Sequence, residues 1–104
     1  MGVRLDIDRH ALEEFCRKWK IRELSLFGSV VRDDFGPDSD VDVLVTFQDD
    51  ADWSLWDHYD MREELKELFG RNVDLVTRRS VERSHNWIRR KSILESAEPV
   101  YEQG

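Results

Sequence analysis

The chain has 104 residues but one cysteine, two prolines and five glycines, and no apolar run reaches the roughly 20 residues of a membrane span. Cys16 alone closes no intramolecular disulfide and builds no cysteine-rich zinc centre. His10, His58 and His85 show no HExxH spacing, so a disulfide scaffold and a zinc enzyme are both set aside. Met1-Gly2-Val3-Arg4-Leu5-Asp6 lacks the apolar stretch of a signal peptide, and a cytoplasmic protein with no membrane partner is expected. Repeats, low-complexity tracts and linkers are missing as well, which favours one domain over residues 1–104. Positive charge is in deficit. Sixteen Lys and Arg stand against 23 Asp and Glu, a net charge of −7 that opposes general binding to DNA or any other phosphate backbone.

What is present is apolar material for a core: 39% hydrophobic residues, with four Trp and five Phe, which excludes disorder. The charge is also divided. Asp33 to Asp60 holds ten aspartates and no Lys or Arg, whereas Arg78 to Lys91 holds six basic residues against Glu82 alone. Outside that basic stretch, ten Lys and Arg face 22 Asp and Glu, and so many uncompensated carboxylates call for solvent or a cation.

Leu12, Phe15, Cys16 and Trp19 recur at helical spacing after Asp6 and Asp8, either of which can cap, so residues 9–20 read as an amphipathic helix. Residues 23–27 alternate polar and apolar and stop at Gly28-Ser29, a first strand feeding a turn; a helical turn over 30–33 is expected next. The β-branched run 41–47 reads as a second, largely buried strand. Ser54 with Asp57 resembles a capping box. Leu55, Tyr59, Met61, Leu65, Leu68 and Phe69 continue an apolar stripe that Gly70 ends. Residues 72–77 give a third strand, Ser84 or Asn86 opens a basic helix to about Glu95, Pro99 stops it, and Val100-Tyr101 suits an edge strand. The expected architecture is mixed α/β, with helices flanking a three- to four-stranded sheet.

Asp40 and Asp42 lie two apart at a strand start, so the pleat sends both carboxylates to one face while Val41, Val43 and Val45 take the other. Gly28-Ser29 ends the preceding strand and opens a helical turn, the setting in which backbone N–H groups and a hydroxyl cradle phosphate. For that corner to meet Asp40, the first two strands must run antiparallel. Asp74, after a helical crossover, then falls beside the pair if the third strand runs parallel to the second. Three neighbouring carboxylates repel unless a cation sits among them. Oxygen-only ligation favours Mg²⁺ or Mn²⁺, which typically combines carboxylates with substrate phosphates, and a nucleoside triphosphate fits.

Gly28-Ser29, ten residues, then Asp40-Val41-Asp42 resembles the GS-x10-DxD signature of the DNA polymerase β-like nucleotidyltransferase superfamily, with Asp74 where its third carboxylate is expected. Residues 24–77, and residues 26–45 above all, resemble the minimal nucleotidyltransferase (MntA-like) antitoxins. The resemblance implies a palm-like α+β fold and a Mg²⁺-dependent enzyme that neutralises a HEPN-domain ribonuclease toxin by moving AMP from ATP onto a toxin tyrosine. It implies that Asp40 and Asp42 hold two metal ions, that Asp74 holds the one at the attacking oxygen, and that Gly28 and Ser29 bind the triphosphate. Arg32 and Ser39 are further phosphate-contact candidates, and a hetero-oligomer with the toxin is expected. The competing expectation is a non-catalytic antitoxin that occludes the toxin.

Plainer readings stand beside these. Gly-Ser after a strand is commonly a turn with a cap, and Asp-x-Asp at a sheet edge is commonly solvated; only their joint register with Asp74 outweighs that. Arg32 suits a surface ion pair equally well, and the basic helix suits a solvated face. Trp53, Trp56 and Trp87 read as packing or partner anchors rather than base-stacking groups, and Cys16 as an inert core thiol.

Overall fold

A computed structural model describes residues 7–28 and 40–103. The chain order is α1 (Arg9–Lys18), β1 (Ile21–Phe27), β2 (Val41–Phe47), α2 (Leu55–Phe69), β3 (Val73–Thr77), α3 (Arg78–Glu82), α4 (Trp87–Ser96) and β4 (Glu98–Glu102). The strands form one mixed sheet in the order β3-β2-β1-β4. β1 pairs antiparallel with β2 and β4, while β2 and β3 run parallel, joined by α2.

Helix boundaries follow side chains that satisfy the first free N–H groups. The Asp8 carboxylate accepts from the Ala11 amide at 3.2 Å and starts α1. At α2 the expected capping box forms: the Ser54 hydroxyl accepts from the Asp57 amide at 3.3 Å and the Asp57 carboxylate accepts from the Ser54 amide at 3.0 Å. Gly70, at φ +68°, closes that helix in the left-handed conformation. Asn86 caps α4. The short helix α3 has no counterpart among the expected elements. Thr77 ends β3 and its hydroxyl accepts from the Ser80 amide at 3.1 Å, so one residue finishes a strand and caps a helix.

The sheet separates two apolar clusters. On one side α1 and α2 cover Leu24, Leu26, Val41, Val43 and Val45. On the other, Phe27 and Leu44 pack with Val81 of α3 and Ile93 of α4. Strand alternation explains the division, since Val41, Val43 and Val45 face one layer while Asp42 and Leu44 face the other. β1 begins two residues before the expected Glu23, and its register shifts between Ile21 and Glu23. That shift lets Ile21 and Leu24, an odd number apart, enter the same cluster.

The stripe expected along α2 is narrower than its sequence suggested. Met61, Leu65 and Phe69 are buried, but Leu55 is 86% exposed and Tyr59 53%. At about 100° per residue these two lie roughly 120–160° from Met61, so they cannot share its face. Cys16 is fully buried; burial, reinforced by the neighbouring Glu13 carboxylate, pushes its thiol up to about 12, in keeping with an inert core cysteine. No helix among the described residues is long and apolar enough to cross a membrane.

Candidate active site

The strand pairing decides where the acidic residues fall. Asp42 is opposite Phe27 across the antiparallel β1–β2 ladder and opposite Asp74 across the parallel β2–β3 ladder. Residues at matched positions of adjacent strands present side chains to the same face, so Phe27, Asp42 and Asp74 form one row on the α3–α4 side of the sheet. Asp40 stands two residues before Asp42, at the entrance to β2, and is exposed; Asp74 is exposed and Asp42 half-buried. Leu44 and Val76 continue the same face inward, toward Val81 and Ile93. The carboxylates therefore sit at a solvent-open strand end above an apolar floor.

A backbone contact sets this register. The Val41 amide donates to the Asn72 carbonyl at 2.9 Å, tying the loop after α2 to the residue between Asp40 and Asp42. The contribution of Asn72 was not read from sequence, because a main-chain bond leaves no mark on residue type. Gly28 shows why glycine is required at the end of β1. It adopts φ +75°, and a β-carbon built there would fall within contact distance of the Asp42 carboxylate. Gly28 thus gives that carboxylate its room.

The expected site residues separate as follows. Gly28 and Asp42 touch, and Asp42 and Asp74 are register partners, with Asp40 at the same strand end. Ser29, Arg32, Ser39 and the helical turn expected over 30–33 lie outside the described residues. Among the described residues, no three His, Cys, Asp or Glu side chains are already gathered into a group that could grip a metal ion. The donor chemistry nevertheless suits a hard cation: three aspartates, oxygen ligands only, no thiol or imidazole in the row, and water access at the strand end.

Residues 9–100 match the family described as nucleotidyltransferase domain. The chain is 39% identical over 69 residues to the protein adenylyltransferase MntA of Thermococcus cleftensis, spanning 66% of this chain and 68% of that protein. Its fold is similar to a toxin-antitoxin crystal structure with AMP-PNP, with TM-score 0.70, 18% identity, and 93% and 75% of the two chains covered. It is also similar to a chain in a complex of the tri-AMPylated Shewanella oneidensis HEPN toxin with an MNT antitoxin, with TM-score 0.61, 18% identity, and 91% and 70% covered. At 18% identity these two likenesses speak for the fold alone.

Proposed function

Because the chain belongs to the nucleotidyltransferase domain family and is a nucleotidyltransferase, we propose that it is an antitoxin that transfers AMP from ATP onto a tyrosine hydroxyl of a cognate HEPN ribonuclease toxin. The observation that carries this reading is the in-register pair Asp42 and Asp74 at one strand end, with Gly28 against Asp42. The adenylyltransferase relative and the AMP-PNP and AMPylated-toxin complexes support the nucleotide and the partner.

In this reading Asp40, Asp42 and Asp74 hold two Mg²⁺ ions, or Mn²⁺, together with the triphosphate. Bound there, the ions neutralise the phosphates and stabilise charge on the entering and leaving oxygens. Gly28 and Ser29 bind the triphosphate through backbone N–H groups and a hydroxyl, with Arg32 and Ser39 as additional phosphate contacts. Asp74, the carboxylate farthest from Gly28 in the row, receives the proton of the acceptor hydroxyl. The tyrosine oxygen then bonds to the α-phosphorus as the bond to the bridging oxygen breaks, and pyrophosphate leaves. The chain supplies positioning and electrostatics, and the nucleophile comes from the partner.

Intact-mass measurement of the toxin co-expressed with this chain tests the proposal. One or more added AMP units are expected with the natural sequence and none with Asp40→Ala or Asp42→Ala. Neutralisation that survives both substitutions on an unmodified toxin would favour occlusion instead.

A further inference from the structure

Among the described residues the sheet has two edge strands, β4 and β3, and they differ in kind. The β4 edge is blunted. Pro99 lacks a donor, Glu98 and Glu102 are exposed charges, the register breaks between Leu24 and Ser25, and the Arg9 guanidinium donates to the Val100 carbonyl at 2.8 Å. Each of these discourages a further strand from pairing there. The β3 edge has none of them. Val73–Thr77 keeps an unbroken register with β2 and contains no proline or lysine, and its one charge is Asp74.

The ladder to β2 fixes which backbone groups of β3 are already used. The Val41 amide donates to the Asn72 carbonyl, and parallel pairing alternates from there, so the N–H and C=O groups of Asp74 and Val76 turn toward β2. Those of Val73 and Leu75 turn the other way, off the edge, and none of the described residues hydrogen-bonds to them there. The side chains of Val73 and Leu75 pack with the α1–α2 cluster, whereas Asp74 stands exposed on the opposite face. A strand added at this edge would pair with Val73 and Leu75, and its residue level with Asp74 would present a side chain on the Asp74 face. That side chain would be the next member of the row Phe27, Asp42, Asp74, on the side away from Gly28.

We propose that the open edge of β3 docks an extended segment of the acceptor protein by strand addition, with the acceptor tyrosine at the position level with Asp74. The inference rests on the AMP-transfer reading above and adds the mode by which the acceptor is recognised. Main-chain bonds to Val73 and Leu75 hold the segment whatever its sequence, and the one side chain that faces the site is selected by what stands there. This suits an enzyme whose nucleophile arrives on another chain. The edge fixes where the hydroxyl stands, and Asp74, last in the row, receives its proton. The regular strand Val73–Thr77 accommodates a segment of similar length, so the acceptor tyrosine lies in extended rather than helical backbone when bound.

Amide hydrogen exchange, read residue by residue on the full chain alone and mixed with the toxin in the absence of ATP, tests this. The Leu75 amide is expected to exchange fast in the free chain and at least about tenfold more slowly in the mixture, while the Asp74 and Val76 amides, bonded to β2, are slow in both. A Leu75 amide that exchanges equally fast in both samples overturns the docking. Intact mass of the toxin after ATP is added separates the two readings: transfer with an unprotected Leu75 amide removes strand addition and leaves the function, and protection without transfer does the reverse. A pair of variants gives a second readout. Leu75→Pro removes the outward N–H and leaves the β2 ladder its bonds, whereas Leu75→Ala loses similar packing but keeps that N–H. Toxin binding is expected to be about tenfold weaker for Leu75→Pro than for Leu75→Ala, and equal binding by the two folded variants overturns the proposal.

Discussion

Gly28→Ala separates backbone strain from carboxylate displacement, because Gly70 provides a matched control. Gly28 and Gly70 adopt nearly the same left-handed conformation, at φ +75° and +68°. A β-carbon at Gly70 would meet nothing within 4 Å, whereas one at Gly28 would run into the Asp42 carboxylate. Gly70→Ala therefore carries only the left-handed penalty, roughly 1–2 kcal/mol. Gly28→Ala adds the cost of driving Asp42 off its rotamer, roughly 0.5–1.5 kcal/mol, for about 2–3 kcal/mol together. In a chain of this length each kcal/mol moves Tm by roughly 4–8 °C. Thermal unfolding followed by circular dichroism measures the stability difference, and AMP transfer to the partner measures function. Gly70→Ala is expected to lower Tm modestly and keep transfer. Gly28→Ala is expected to lower Tm further and reduce transfer on the order of a hundredfold, the scale expected when a catalytic group moves by about 1 Å. Equal Tm losses in the two variants, with transfer intact in Gly28→Ala, would refute the reasoning.

The remaining expectations concern the scaffold. Ser54→Ala removes an acceptor for the Asp57 amide and half of the capping box, and should cost about 1 kcal/mol in urea unfolding. Trp53→Phe keeps most of the edge-to-face contact with Trp19, whose ring centroid is 5.1 Å away, but removes the indole bond to the Trp19 carbonyl. A loss of about 1–2 kcal/mol with an unchanged m value is expected. Cys16, whose thiol is raised from 9.0 to about 12, should resist thiol reagents at pH 8 until the protein unfolds. The sign of its pH effect follows: the folded state holds the proton longer than the unfolded state, so this contribution to stability is complete below about pH 9 and fades toward pH 12. Comparing denaturation of the natural chain and Cys16→Ala across that window should show the natural chain losing stability faster.

Much of this layout was legible in the residues, and the parts that were not share physical causes. The β-branched run from Val41 to Phe47 gave β2 its observed bounds, and Ser54, Asp57 and Gly70 marked both ends of α2 through cap chemistry. The antiparallel and parallel pairings followed from asking how Gly28, Asp40 and Asp74 could meet, and the sheet has both. α3 was missed because five residues are too few to show a helical period, and because Thr77 reads as strand while also capping. The early positions of α2 were misread because an apolar residue at helical spacing does not reveal which face the sheet will cover. The Val41–Asn72 bond, which aligns Asp42 with Asp74, is carried by main-chain atoms and so was invisible to motif reading.

Electron paramagnetic resonance of Mn²⁺ tests most directly whether this row of aspartates is a divalent-cation site for a nucleoside triphosphate. With ATP present, adding the natural chain is expected to quench the free-ion signal beyond what ATP alone does, and Asp42→Asn or Asp74→Asn to return the signal to the ATP-only level with the melting curve unchanged. Quenching by Asp42→Asn equal to that of the natural chain would contradict the assignment of the site.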